Sequence, residues 1–384
     1  TVHRGRTLEE DKSLAAWLQH SEKNRAENLM IVDMIRNDLG RVADFGGVRV
    51  QALFEVERHP TLWQMTSTIL ARCAREPADI FAALFPCASI TGAPKIRTSR
   101  IIAELEPDPR RVYTGCIGFL APDGRAQFNV AIRTAVVDRS AGTAEYGAGG
   151  GIVWDSASPE EYTEAILKAR VLTERPPAFS LLETLRWTPE ESYFLLEHHL
   201  RRLADSAEYF RFRLDVEAVR RGLLGEAAGF GSGARRVRLI LSADGTVSVD
   251  SAPLGEEAPA RIPRVAIARN PVQSGDVFLY HKTTHREVYE RALRDFPDCD
   301  DVLLWNEKGE LTESCVANAV VDIGGELVTP PVDCGLLAGT MRAQLLEEGR
   351  IRERVVRVAD LGPGSRICLV NSVRLWREAR VHHF

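Results

Sequence analysis

The sequence predicts an α+β fold arranged as two domains. Its 384 residues exceed a typical single domain, and 45% apolar residues supply enough material for two buried cores. Segments with helical spacing alternate with segments of strand-like spacing along the chain. Two adjacent prolines, Pro176 and Pro177, follow a helical stretch and would end it. We therefore predict domains at residues 1–174 and 178–384.

Composition argues against several classes of protein. The net charge is −5 with both signs mixed along the chain, so a basic nucleic-acid-binding surface is not expected. The seven cysteines are scattered and form no C-x-x-C pair, which favours neither a disulfide framework nor a zinc site and suggests a cytoplasmic protein. The sequence contains no run of about 18 apolar residues, so no membrane span is expected.

In the first half, helices and strands are interspersed. Periodic apolar spacing predicts helices at residues 8–22, 25–37, 62–74, 80–85 and 95–105. Alternating segments bounded by turn residues predict strands at residues 48–57, 113–120, 126–137 and 143–147. This order is typical of an α+β domain rich in antiparallel strands.

The second half begins with a predicted hairpin and continues as two subdomains. Strands are predicted at residues 181–187, 193–195, 237–241, 247–251, 301–305, 317–323 and 367–371. Helices are predicted at residues 197–209, 216–224, 286–295 and 340–348. Residues 261–271 are predicted to link a small subdomain at 178–265 to a large one at 270–384.

Four local signals in the second half point to one chemistry. Lys282 lies in a polar run before a predicted helix, and a lysine that reacts with carbonyls must be partly desolvated. Glu313 follows a turn, where its carboxylate can pair with a protonated pyridine nitrogen. Thr340 opens a helix whose backbone amides favour a phosphate, and Arg202 can clamp one. Each residue alone would more often be an ordinary surface residue.

Together, in this order and spacing, these signals resemble the fold-type IV pyridoxal-phosphate (PLP) enzymes over residues 178–384. That family includes branched-chain and D-amino-acid aminotransferases and 4-amino-4-deoxychorismate lyases. The resemblance implies that Lys282 carries PLP and is catalytic, and that Glu313 contacts the pyridine nitrogen. It assigns the phosphate to Arg202, Thr340, Met341 and Ser372. It also implies a catalytic role for Thr184, a substrate contact for Arg186 and a homodimer.

The first half carries a second set of signals. A glycine loop at residues 147–151 lets backbone amides approach a carboxylate. Thr91 lies in the sequence ITGAPK, at a turn that starts a helix. Glu161 and Glu164 share one helical face, which taken alone would more often be a salt-bridged surface. The set resembles chorismate-utilising enzymes over residues 1–172, a family that includes anthranilate, aminodeoxychorismate and isochorismate synthases.

This second resemblance implies an α/β-sandwich domain that binds chorismate with Mg2+. Hard carboxylate oxygens suit Mg2+, and the resemblance assigns its site to Glu27, Glu161 and Glu164. It assigns substrate contacts to Thr91, Tyr113, Arg133, Gly147 and Gly149. Thr1 matches the last residue of the family's P-x-K-G-T motif, so we expect the motif's lysine to lie off this chain and the domain to be incomplete.

A chorismate module joined to a PLP module predicts a route to 4-aminobenzoate, a folate precursor. The first would aminate chorismate with ammonia from a glutamine amidotransferase, and the second would eliminate pyruvate from 4-amino-4-deoxychorismate. Three alternatives stay open. The second half could be an amino-acid aminotransferase, the first half could make anthranilate, or the first half could be a non-catalytic binding or amidotransferase-docking module.

Overall fold

The structure, a computed structural model, describes residues 1–152, 154, 156–169, 172, 177–255, 262–362 and 365–383. Contacts divide the chain into two compact units: Thr1–His3 with Ala15–Pro176, and Arg4–Leu14 with Pro177–Phe384. Residues 173–176, where the predicted domain border falls, lie outside the described residues. The segment Arg4–Leu14 groups with the second half of the chain, which the predicted division did not include.

All seven cysteines are free thiols. None of the helices in the described ranges combines the length and the apolar character needed to cross a bilayer.

The first half of the chain forms small antiparallel sheets with helices between them. Its elements are β1 (Val2–His3), α1 (Leu8–His20), α2 (Glu22–Gly40), β2 (Arg49–Arg58), β3 (Leu62–Leu70), α3 (Pro77–Leu84), α4 (Ala88–Thr91), α5 (Lys95–Leu105), β4 (Cys116–Leu120), β5 (Ala126–Val130), β6 (Ala135–Asp138), β7 (Thr143–Tyr146) and α6 (Ser158–Ala169). One sheet has the order β1-β3-β2, and β4-β5 and β6-β7 are hairpins. Helix α2 packs against β3.

Two predicted elements of this half were wrong. The predicted helix at residues 62–74 is strand β3, which pairs along its length with β2 and whose Thr66, Thr68 and Ile69 are β-branched. The predicted strand at residues 126–137 is two strands, because the chain turns at Arg133, which has a φ of 50°. In the first case, pairing with the preceding strand β2 overrode the local helical spacing.

The second half of the chain carries two antiparallel-rich sheets. Its elements are β8 (Leu181–Thr188), β9 (Ser192–Tyr193), α7 (Leu196–Phe210), α8 (Val216–Ala227), β10 (Arg235–Leu241), β11 (Val247–Pro253), β12 (Arg264–Ile267), α9 (Glu287–Arg294), β13 (Asp301–Trp305), β14 (Leu311–Ser314), β15 (Asn318–Ile323), β16 (Glu326–Thr329), α10 (Thr340–Glu347), β17 (Arg352–Glu353), β18 (Arg366–Asn371) and β19 (Leu375–His383). The sheet orders are β11-β10-β8-β9 and β14-β13-β12-β19-β18-β15-β16-β17.

Each sheet of the second unit has its own apolar core. In the smaller one, Leu185, Leu239 and Leu241 of the sheet pack with Leu203 and Leu223 of helices α7 and α8. Burying five such side chains removes a large apolar area from water, which is the main driving force for this layer. The predicted α+β class is confirmed by this mixture of sheets and helices.

Two predictions for the larger sheet were wrong. Residues 261–271 were predicted as a linker, yet β12 lies inside the sheet between β13 and β19. The last strand was predicted at residues 367–371, whereas β19 follows it and pairs with both β12 and β18. The charged residues of β19 hide its strand pattern, although Ala379 and Val381 are buried at alternate positions.

We expect Leu239→Ala to lower the free energy of unfolding of the second unit by about 2–5 kcal/mol, because Leu239 is fully buried and its removal leaves a cavity. The matched control Leu224→Ala, at a side chain 48% exposed on α8, should cost within about 0.5 kcal/mol. Urea denaturation of the full chain, followed by circular dichroism, measures both changes. Equal losses for the two variants would contradict this assignment of the core.

Candidate active site around Lys282

Lys282 lies in a short loop that backbone hydrogen bonds tie to the start of β8. The Leu182 amide donates to the Lys282 carbonyl at 2.9 Å, and the Thr284 amide donates to the Ser180 carbonyl at 2.9 Å. A 3-10 turn at Val277–Leu279 precedes the loop and α9 follows it. The lysine backbone is therefore held beside the first residues of a buried strand.

The Lys282 amine has charged neighbours of both signs. Burial, with a smaller effect of the Arg202 and Arg286 guanidinium groups, lowers the pKa of Lys282 to about 8, and Glu183 and Glu313 oppose the shift. An amine with this pKa is neutral in a larger fraction of molecules near pH 7 than an ordinary lysine. Neutral amine is the form that attacks a carbonyl or accepts a proton.

Glu313, on β14, holds a buried carboxylate among three hydrogen-bond donors. Oε1 accepts from the Tyr289 hydroxyl at 2.9 Å and from the Leu337 amide at 3.3 Å, and Oε2 accepts from Asn318 Nδ2 at 3.3 Å. Burial raises the pKa of Glu313 to about 7, although the hydrogen bonds oppose the rise. Such a carboxylate is stabilised by a cationic partner, and a protonated pyridine nitrogen fits that requirement.

A second buried carboxylate, Glu183 on β8, orients two side chains of α7. Its Oε2 accepts from His199 Nδ1 and from Arg202 Nη2, both at 2.6 Å. Burial alone would raise the pKa of Glu183, but Arg202 and His199 together lower it to about 2. Burial lowers the pKa of His199, so its ring is neutral and Nε2 accepts from the Thr340 hydroxyl at 3.3 Å.

The first turn of α10 lies beside this cluster. Thr340 and Met341 are buried, and Arg202 Nη1 donates to the Ala338 carbonyl at 3.2 Å, just before the helix. A Cβ at Gly339 would come within 1.9 Å of Asn318 Oδ1, so a larger residue would displace the Asn318 side chain from its present position. A helix N-terminus and a guanidinium group therefore meet at one place, which suits a phosphate.

The turn after β18 brings together three further predicted residues. The buried Ser372 donates from its hydroxyl to the Thr184 carbonyl at 3.5 Å, and Arg186 Nη1 donates to the Val373 carbonyl at 3.3 Å. Thr184 and Arg186 come one and three positions after Glu183 on β8. Their side chains therefore lie on the face of the strand opposite the Glu183 carboxylate.

Four residues of this site lie outside the predicted set: Glu183, His199, Tyr289 and Asn318. Glu183 had a signal, because it is an acidic residue on the strand face that also carries Leu181, Leu185 and Trp187. His199 lies three positions before Arg202 and so shares its helical face. Tyr289 and Asn318 had no comparable signal, since their role depends on reaching the Glu313 carboxylate from distant elements.

In the first unit the structure brings Tyr113 to the glycine loop. A Cβ at Gly147 would lie 2.3 Å from the Tyr113 ring, and one at Gly149 would lie 2.8 Å from its hydroxyl. Arg133 is exposed, between β5 and β6, and Thr91 ends α4 with its hydroxyl bonded to the carbonyl that precedes the helix. The structure therefore brings Tyr113 to Gly147 and Gly149, while Thr91 and Arg133 lie on other segments.

The predicted magnesium ligands are divided between α2, which carries Glu27, and α6, which carries Glu161 and Glu164. Burial lowers the pKa of the Thr1 amino group, while Glu27 and Glu164 act to raise it. Glu164 also pairs with Lys168 at 2.7 Å. Within the described ranges, no group of three histidine, cysteine or acidic side chains could hold a metal ion. Helices α2 and α6 thus bring Glu27 and Glu164 within reach of the same Thr1 amino group.

Comparison with known proteins divides the chain in two. Residues 1–174 match the chorismate binding enzyme family, and residues 180–381 match the amino-transferase class IV family. Aminodeoxychorismate synthase component 1 of Bacillus subtilis is 44% identical over 171 residues, which cover 44% of this chain and 36% of that protein. Anthranilate synthase component 1 of Streptomyces coelicolor is 45% identical over 165 residues, which cover 42% of this chain and 32% of that protein.

This chain therefore spans only about a third of the length of those two relatives. Among solved structures, a "Putative amino-acid aminotransferase" from Mesorhizobium loti has a TM-score of 0.50 and 34% identity, covering 53% of this chain and 100% of that one. The share of this chain that it covers is about the same as the share covered by the class IV match, which spans more than half of the chain. Through residues 180–381, joined here to a segment that matches chorismate binding enzymes, the protein belongs to the class IV aminotransferase family.

Proposed function

We propose that the second unit is a PLP-dependent lyase that releases 4-aminobenzoate and pyruvate from 4-amino-4-deoxychorismate. The observation that carries this proposal is the environment of the Lys282 amine, whose charged neighbours include Arg202 and Glu313. Arg202 belongs to the place that suits a phosphate, and Glu313 suits a protonated pyridine nitrogen. The lysine thus lies among groups that fit both ends of PLP.

The choice of substrate depends on the first unit. Its match to chorismate binding enzymes supports a module that aminates chorismate with ammonia from a glutamine amidotransferase subunit. The product of that step, 4-amino-4-deoxychorismate, is the substrate of the proposed lyase. We infer that chorismate binds through Mg2+, and that the ion is held by Glu27, Glu161 and Glu164. The substrate also contacts Thr91, Tyr113, Arg133, Gly147 and Gly149 in this proposal.

The proposed elimination uses the groups of the Lys282 site. When bound, PLP supplies an electron sink for negative charge at the substrate carbon that bears the amino group. The neutral Lys282 amine takes the proton from this carbon, and the enolpyruvyl C–O bond breaks as the ring becomes aromatic. A proton then reaches the enolpyruvate carbon to give pyruvate. We assign substrate contacts to Thr184 and Arg186, and phosphate contacts to Arg202, Thr340, Met341 and Ser372.

A second candidate is an amino-acid aminotransferase. The 34% identity to a protein with that description, over the whole length of that chain, supports it. Both candidates need the same lysine, carboxylate and phosphate site, so the geometry of the second unit does not separate them. We favour the lyase because the same chain carries a segment that matches chorismate binding enzymes. We also infer a cytoplasmic protein that dimerises through the second unit.

We expect the PLP-loaded chain to convert 4-amino-4-deoxychorismate, without chorismate or glutamine, into equal amounts of 4-aminobenzoate and pyruvate. Lys282→Ala should lower turnover by about 100-fold or more, because it removes the general base. Lys308→Ala, at an exposed lysine before β14, serves as the matched control. Amino transfer to a keto acid without pyruvate release would instead support the aminotransferase.

We expect Tyr289→Phe to move the acid limb of the pH–turnover profile to higher pH. The Tyr289 hydroxyl lowers the pKa of Glu313, so its loss raises that pKa. If turnover requires ionised Glu313, activity is lost as the pH falls through this value, and the higher pKa makes the loss begin earlier. Stopped assays across the pH range, with Tyr162→Phe at an exposed tyrosine as control, measure the shift. An acid limb that stays in place would contradict this role for Glu313.

We expect chorismate to bind the full chain more tightly in the presence of Mg2+ if Glu27 and Glu164 supply ligands. Glu27→Gln and Glu164→Gln should weaken this dependence, because an amide is a poorer ligand for a hard cation than a carboxylate. Glu104→Gln, at an exposed position of α5, is the control. Isothermal titration calorimetry with and without Mg2+ measures the effect. An affinity for chorismate that is the same with and without Mg2+ in every variant would contradict the proposed site.

A further inference from the structure

A segment from the start of the chain belongs to the second unit, called here the PLP unit, and lies next to the Lys282 loop. We call Arg4–Leu14 the N-terminal strap; it falls within the chorismate binding match but groups with the second unit. Inside the strap, Arg4 Nε pairs with Asp11 Oδ1 at 2.7 Å, and both side chains are nearly fully buried. The Gly5 amide donates to the same carboxylate oxygen at 2.9 Å. The strap is thus a closed turn built around one buried ion pair.

The turn depends on a close backbone approach at Gly5. A Cβ at this position would lie 2.2 Å from the Asp11 amide nitrogen, a distance that atoms do not adopt. Because the obstructing atoms are backbone, no side-chain rotation could relieve the clash. Glycine is therefore required for the strap to keep this form.

The strap is fastened to helix α7 through Tyr209. The Arg4 guanidinium lies over the Tyr209 ring at 4.5 Å from its centroid, and Arg4 Nη2 donates to the Tyr209 carbonyl at 3.2 Å. The Tyr209 hydroxyl donates to the Gly5 carbonyl at 2.6 Å, and both groups are buried. A charge-assisted contact, a ring contact and a hydrogen bond therefore join the same two pieces of chain.

From this position the strap contacts the two residues that precede Lys282. The Arg6 carbonyl accepts from His281 Nε2 at 3.1 Å, and Arg6 Nη1 donates to the Tyr280 hydroxyl at 3.0 Å. The other His281 nitrogen, Nδ1, accepts from the Ser206 hydroxyl of α7 at 2.9 Å. Burial lowers the pKa of His281 to about 4, so the ring stays neutral and keeps one donor and one acceptor nitrogen.

We propose that the N-terminal strap positions Lys282, by holding Tyr280 and His281 while β8 holds the other side of the loop. The proposal rests on the proposed PLP role of Lys282. It makes residues of the chorismate-binding half a working part of the PLP half. Arg4, Gly5 and Arg6 are positioning residues in this scheme, since they reach the lysine only through its neighbours.

The test compares Gly5→Ala and Tyr209→Phe with the control Lys12→Gln in the full chain. Gly5→Ala blocks the turn, and Tyr209→Phe loses one hydrogen bond to the strap but keeps the ring beside His281. Lys12 lies on the same strap but forms an exposed pair with Glu208. Two quantities are measured: amide hydrogen exchange in residues 280–285, and the rate at which borohydride traps PLP on Lys282.

Faster exchange in the Lys282 loop and slower trapping are expected for both strap variants, with Lys12→Gln like the unaltered chain. Since a misplacement of about 1 Å can cost on the order of 100-fold in rate, Gly5→Ala should slow trapping at least about tenfold, and Tyr209→Phe less. If melting temperatures fall while exchange in the loop and trapping on the folded protein stay unchanged, the strap is only structural and the proposal is overturned.

The two proposals fail in different ways. If the unaltered chain traps no PLP on Lys282, the proposed function fails, and the exchange measurement still decides whether the strap holds the loop. If Gly5→Ala does not fold, Tyr209→Phe carries the decision, because losing one hydrogen bond leaves the packing of the ring in place. Normal exchange and normal trapping in Tyr209→Phe would then overturn the positioning role.

Discussion

The buried Glu183 carboxylate is the interaction on which the arrangement of the PLP unit depends. A charge removed from water is costly unless partners compensate it, and here Arg202 and His199 both bind the same carboxylate. Because both partners lie on α7, their bonds to Glu183 hold this helix beside β8. The same requirement directs Arg202 toward the turn before α10 and leaves His199 free to accept from Thr340. One compensated charge thereby brings three elements to the place that suits a phosphate.

Burial then acts in opposite directions on the two groups that would contact the reactive parts of PLP. It lowers the pKa of the Lys282 amine to about 8 and raises the pKa of the Glu313 carboxylate to about 7. Burial disfavours the charged form in either case, so the pKa values of the base and the acid both move towards neutrality. Both groups can therefore change protonation state near physiological pH, which proton transfer requires.

The two units of the chain differ in how completely their candidate sites are built. In the second unit the charges of Arg202, Glu183 and Glu313 act on the Lys282 amine, and both carboxylates are held by hydrogen bonds. In the first unit Tyr113 meets the glycine loop, and Glu27 of α2 and Glu164 of α6 both influence the Thr1 amino group. The N-terminal strap lies within the first family match but belongs to the second unit, where its Arg6 carbonyl accepts a hydrogen bond from His281.

The sequence by itself determined the α+β class and the joining of a chorismate-binding segment to a class IV aminotransferase segment. It could do so because short motifs with fixed spacing are encoded locally, and the roles proposed for Lys282 and Glu313 rest on such motifs. Local spacing was misleading where pairing with other strands decided the structure, as for the strand at Leu62–Leu70 and for β12 and β19. Only the tertiary structure decided that Tyr289 donates to Glu313, that Glu183 binds Arg202, and that the strap packs beside Lys282. Those contacts join residues up to 275 positions apart, and no local pattern encodes which distant groups burial will force to pair.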